Sequence, residues 1–73
     1  MTMGERIKQR RKELGLTQED LARKCDLTLA TVGNFERGKN DNPRLDTLLK
    51  LADSLSLPLD DLIGRKPPPV PKK

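Results

Sequence analysis

Residues 17–37 read TQEDLARKCDLTLATVGNFER, and this stretch decides the fold. Thr17 is placed to cap a helix, and Asp20, three residues on, makes the pair a variant of the capping box. Leu16 and Leu21 stand at the two positions of a hydrophobic staple. Gln18, Leu21, Ala22 and Cys25 then fall near one side of a short helix. Thr28 repeats the cap, with Leu27 and Val32 as a second staple, and Val32, Phe35 and Glu36 share a face of the helix that follows. Gly38 stops it. Only Asp26 and Leu27 lie between the two helices, too short a link for an antiparallel hairpin, so the second helix crosses the first steeply and projects outward. Ala22 is small where the two helices touch, and Val32 is apolar where the second meets the core. Asp26 occupies a bend that favours left-handed backbone, which Asp tolerates less well than Gly.

Outward from this pair, the pattern stays helical. A first helix is expected from about Gly4 to Leu14, with Met3, Ile7 and Leu14 on one face and Arg11 between them; Gly15 ends it in the left-handed conformation. After the turn-rich loop Lys39–Pro43, a fourth helix spans about Leu45 to Leu55, with Leu45, Leu48, Leu49, Ala52 and Leu55 as its apolar stripe. A short fifth helix begins near Pro58, with Asp60 and Asp61 in its first turn, where acids suit the helix dipole, and with Leu59, Leu62 and Ile63 available for packing. Nothing alternates with the period of a strand. The expected architecture is all-α: a compact domain of five helices over residues 1–64, with the steep pair as helices 2 and 3, followed by a basic, proline-rich, flexible tail at 65–73.

Composition narrows the chemistry. The chain has 73 residues, room for one small domain. It has no His, Trp or Tyr, and single Cys25 and Phe35. No metal cluster, internal disulfide or nucleophile–base pair can be assembled from this inventory, so an enzyme, a catalytic residue, a metal and a cofactor are not expected, and no small-molecule ligand is evident. Cys25 reads as a small core residue. No apolar run approaches a membrane span, so no membrane partner is expected and a cytoplasmic location is. The net charge of +4 resides in the tail, where RKPPPVPKK holds four bases and no acid; the other 64 residues carry eleven of each sign. Within them, residues 1–44 have ten bases to seven acids and residues 45–64 one base to four acids, so one end of the domain suits phosphates and the other does not. The tail reads as a nonspecific aid to polyanion binding, with a proline-motif ligand around Arg65, Pro68 and Pro71 as the lesser reading.

Four segments carry a family resemblance: ERIKQRRKELGLTQEDLARK at 5–24, NFERGK at 34–39, NPRLDTLLKLADSL at 42–55 and LPLDDLI at 57–63. In this order and spacing they resemble the Cro/cI-type, XRE-like helix-turn-helix proteins, which include the small repressors and Cro proteins of lambdoid phages. The resemblance covers Glu5 to Ile63 and implies a five-helix repressor-like fold that binds double-stranded DNA. It implies that Gln18 contacts phosphate and braces the reading helix, with Thr17 beside it. It implies that Leu29, Ala30, Gly33 and Asn34 face base edges, that Thr28 and Thr31 lie toward the DNA backbone, and that Arg11 and Glu36 form a buried ion pair, Arg11 reaching phosphate as well. Lys39 and Asn40 match a phosphate-contacting loop, Arg44 a residue that enters the minor groove in some relatives, and Leu45, Leu57 and Leu59 the dimer surface.

Two of these assignments have support of their own. Arg11 and Glu36 both lie on core-facing sides of their helices, where either charge alone is costly to bury and pairing offsets the penalty. Arg44 stands at a helix N-terminus, where a cation opposes the dipole by roughly 0.3–1 kcal/mol, which suggests a role outside the fold. The reading helix itself is chemically plain. Leu29 and Ala30 cannot hydrogen-bond, Gly33 has no side chain, and Asn34 is the one amide, with Arg37 as its helper. Specificity is therefore expected from thymine-methyl contacts and DNA shape as much as from hydrogen bonds. The expected function is a sequence-specific transcription regulator, a repressor by resemblance, bound as a homodimer to a palindromic operator and located on the nucleoid when bound. The alternative is a protein-interaction module, an antitoxin or adaptor, that uses the same fold.

Overall fold

The computed structural model describes residues 2–40 and 42–63. Its helices are α1 (Met3–Glu13), α2 (Gln18–Lys24), α3 (Leu29–Arg37), α4 (Leu45–Leu55) and α5 (Leu59–Ile63), and there is no strand among the described residues. The tail at 65–73 and the domain end at Gly64 lie outside them. No described helix is long and apolar enough to cross a membrane.

Side chains set the helix starts. Thr17 Oγ1 accepts from the Asp20 amide at 3.0 Å and Asp20 Oδ2 accepts from the Thr17 amide at 2.9 Å, a complete capping box. Thr28 Oγ1 accepts from the Thr31 amide at 3.1 Å. α1 starts at Met3, one residue before the expected Gly4, because Thr2 and Glu5 form a further capping box that the sequence pattern had not singled out. Left-handed residues set the ends: Gly15 at φ 72°, Gly38 at φ 78°, Asp26 at φ 56° and Ser56 at φ 54°. Asp26 thus takes the bend conformation its position demands.

The core is built from Ile7, Leu21, Ala22, Cys25, Val32, Phe35, Leu51, Ala52, Leu55 and Leu62, with Met3, Leu27, Leu48, Leu57 and Leu59 packed against it. α3 rests on α1 and α2, while α4 rests on α1, α2 and α5. The first two helices therefore form the base from which α3 is held out. Two core expectations change. Leu14 is 40% exposed; it is the C-cap of α1, at the edge of the face that buries Ile7 and Arg11. In α4 the buried row is Leu51, Ala52 and Leu55 rather than one running through Leu45 and Leu49, which are 63% and 46% exposed. The helix is apolar on more than one side, so its sequence alone did not say which side faces in.

Two longer contacts tie the helices together. Arg10 Nε donates to the Leu55 carbonyl at 2.8 Å, serving one of the unpaired acceptors at the end of α4. At Gly4, α3 comes so close that an added Cβ would overlap the Phe35 carbonyl oxygen and lie 2.9 Å from that of Glu36.

Candidate nucleic-acid interface

α3 divides lengthwise. Val32 and Phe35 are buried, whereas Leu29, Ala30 and Arg37 are exposed, with Asn34 half-buried between the two sides. The orientation of this division is fixed by Glu36. Its carboxylate accepts from Arg11 Nε at 2.7 Å, from Arg11 Nη2 at 3.1 Å and from Gln18 Nε2 at 3.1 Å. Arg11 Nη1 in turn donates to the Leu16 carbonyl at 2.7 Å. The pair's side chains are 10% and 3% exposed, so the ion pair is buried, as its placement on two core-facing sides requires. Burial alone disfavours the Glu36 charge and is the largest single influence on it. The hydrogen bonds from Arg11 and Gln18, with the charges of Arg11 and Lys8, outweigh burial and hold the carboxyl below its ordinary pKa. One residue from each of α1 and α2 thus grips α3 through a single carboxylate.

Gln18 is half-buried and braces α3 through this contact. Thr17 is exposed with its hydroxyl engaged in the cap, and the Thr28 and Thr31 hydroxyls lie 2.7 Å apart. Gly33 differs from expectation. It is buried, and an added Cβ would meet Arg37 first, 3.1 Å from Nη1 and 3.6 Å from Cζ. Its missing side chain makes room for Arg37 rather than leaving bare backbone. Arg37 Nη2 donates to Asn34 Oδ1 at 2.8 Å. The Lys39 amide closes the end of α3 on the Asn34 carbonyl at 2.9 Å, and Lys39 and Asn40 are exposed beyond it. Arg44 is the N-cap of α4 without capping it; its side chain is 88% exposed and 3.6 Å from Asp46 Oδ1.

Of the three leucines assigned to a dimer surface, Leu45 is open, while Leu57 and Leu59 are partly used by the core. Leu49, read as core, is exposed one helical turn from Leu45. Cys25 is buried, with Sγ 3.4 Å from Ser54 Oγ, and burial raises its thiol pKa, as in an inert packing residue.

An α3 held outward by α1 and α2 after the four-residue turn 25–28, bent at Asp26, defines a helix-turn-helix domain. The helix-turn-helix family model matches residues 7–62, and the chain belongs to this XRE-type family. It is 37% identical over 65 residues to the HTH-type transcriptional regulator ImmR of Bacillus subtilis (strain 168), covering 89% of this chain and 50% of that protein. It is 39% identical over 66 residues to the immunity repressor protein of Bacillus phage phi105, covering 90% and 45%. The chain thus spans about half the length of these relatives. Among solved structures it is similar to the P22 c2 repressor in complex with a synthetic operator, at TM-score 0.84 and 30% identity, covering 90% of this chain and 98% of that one.

Proposed function

We propose that the chain is a DNA-binding transcription regulator, a repressor, whose α3 enters the major groove of its operator. The observation that carries this is the lengthwise division of α3: one side is fixed to α1 and α2 through Glu36, and the other offers Leu29, Ala30, Asn34 and Arg37 to a partner. The P22 c2 repressor, similar over nearly its whole chain, was solved with operator DNA. In this reading Gln18, Thr28, Thr31, Lys39 and Asn40 position the domain on phosphates, while Arg11, expected to reach phosphate as well, is buried and held by Glu36 and the Leu16 carbonyl and acts through the placement of α3. Arg44, exposed and paired only at 3.6 Å, reaches the minor groove. The excess of bases over acids in residues 1–44 lies on the same segment of chain.

Single domains of this size make few specific contacts, and two-fold symmetry doubles them. The proposed active form is therefore a homodimer on a palindromic site, with Leu45 at the contact and Leu57 and Leu59 supporting it from the core. The working location is the nucleoid, in the cytoplasm. The test is selection of bound duplexes from a random pool at two salt concentrations. A palindrome with half-sites about one helical turn apart, bound less tightly at higher salt, is the expected result. Binding to no duplex at either concentration would replace this reading with the protein-interaction module.

A further inference from the structure

We propose that Gly33, Asn34 and Arg37 form one reading unit that selects guanine: Arg37 makes the base contact, and Asn34 and Gly33 position it. This rests on the DNA-binding function proposed above and assigns the chemistry of its specificity. In an α-helix a long side chain leans back toward the N-terminus, over the residue four positions earlier. For Arg37 that residue is Gly33. The guanidinium lies so close that a Cβ at 33 would stand 3.1 Å from Nη1, and Gly33 is buried beneath it. A glycine weakens a helix interior relative to alanine. Here it provides the shelf on which an arginine lies flat along the outward side of the reading helix.

The charge on that shelf is unspent. Among the described residues no carboxylate pairs with Arg37; its partner is the neutral Asn34 Oδ1, 2.8 Å from Nη2. Arginine has only donors, and Asn34 has one acceptor oxygen, which this bond turns toward Arg37 while taking one of its two lone pairs. With Leu29 and Ala30 unable to hydrogen-bond, Asn34 and Arg37 present N–H groups along the C-terminal half of the outward side of α3, the Thr28 and Thr31 hydroxyls lying at its other end. In the major groove, guanine presents N7 and O6, two adjacent acceptors that match a guanidinium bidentately. Adenine places the N6 donor beside N7, and its usual pairing with an amide needs Asn34 to present Oδ1 and Nδ2 together to the base, whereas Oδ1 is held toward Arg37. The unit therefore favours guanine over adenine, contrary to what Asn34 alone would read.

The experiment is site selection followed by affinity measurement for the whole chain and for Arg37→Ala, Arg37→Lys, Asn34→Ala and Gly33→Ala, with melting curves to confirm folding. The expected result is one guanine enriched in each half-site. Its exchange for adenine weakens wild-type binding by roughly tenfold to a hundredfold. Both Arg37 variants become indifferent to the exchange, Arg37→Lys included, because lysine keeps the charge but lacks the fork. Asn34→Ala and Gly33→Ala lose part of the preference, read as the ratio of affinities for the guanine and adenine duplexes. An enriched adenine lost in Asn34→Ala and kept in Arg37→Ala would overturn the proposal, as would an Arg37→Ala loss equal on all sequences, the mark of a phosphate contact. Those outcomes leave DNA binding standing; absence of any salt-dependent binding removes both.

Discussion

Glu36 keeps its charge at 3% side-chain exposure because three N–H groups from Arg11 and Gln18 converge on it. Removing the carboxylate leaves Arg11 buried and unpaired, so Glu36→Ala is expected to cost about 3–5 kcal/mol in urea denaturation at neutral pH. The same group makes stability fall in acid. Its folded pKa lies below its unfolded value, so the native state binds fewer protons. The stability it contributes is complete above the unfolded carboxylate pKa of about 4.3 and is lost as pH falls through the folded value. Backbone and side-chain hydrogen bonds from Thr2 and Thr17 lower Glu5 and Asp20 in the same direction. A urea-midpoint series from neutral pH downward should therefore decline below the ordinary carboxylate range. Glu36→Gln should start lower and converge on wild type in acid; parallel curves would mean that Glu36 is not a source of the decline. The ion pair was legible because two charges sat on core-facing sides. Gly4 was not, since nothing in one chain's pattern shows another helix's carbonyls pressing on it. Gly4→Ala should cost about 1–3 kcal/mol by overpacking against Phe35 and Glu36, despite alanine's better helix propensity.

Among the elements, α2 and α3 were the most legible, because Thr17, Thr28 and Gly38 mark their ends with side-chain and backbone chemistry that acts locally. The bend was legible as a position but held by an unfavourable residue. Asp26 sits at φ 56° and Ser56 at φ 54°, where a side chain is strained and glycine is not. Ser56 gave no sign of this, since serine is common in turns of every kind. Asp26→Gly is expected to raise stability by roughly 0.5–1 kcal/mol, the relief of strain exceeding the added freedom of the unfolded chain. Thermal melting checks this, and DNA affinity should change little because the bend keeps its shape. A loss of stability would show that the Asp26 side chain contributes more than its backbone strain costs. α4 was legible in extent but not in rotation: with leucines at 45, 48, 49, 51 and 55, several stripes fit, and only packing against α1 and α2 selects Leu51, Ala52 and Leu55.

At the scale of the whole molecule, that rotation has a consequence for assembly. It leaves Leu45 and Leu49 on the surface one turn apart, 63% and 46% exposed, on the chain segment where acids outnumber bases. Paired exposed leucines are a liability in an isolated domain and an asset at a two-fold contact, where each patch meets its own copy. The proposed dimer therefore centres on Leu45 and Leu49, a residue the sequence had assigned to the core, with Leu57 and Leu59 contributing less because they already pack inward. Leu45→Glu and Leu49→Glu should leave the fold within about 0.5 kcal/mol of wild type, since both sites are solvent-facing. Like charges would then oppose each other across the two-fold axis. Binding to a duplex with both half-sites should drop toward the affinity for a single half-site, which should itself stay unchanged, and sedimentation of the protein–DNA complex should give one chain per duplex in place of two. Full two-site affinity in both variants would move the dimer contact elsewhere. Arg44→Ala separates the two surfaces: it should reduce affinity for one half-site and flatten the salt dependence by about one unit of slope while two chains still bind together.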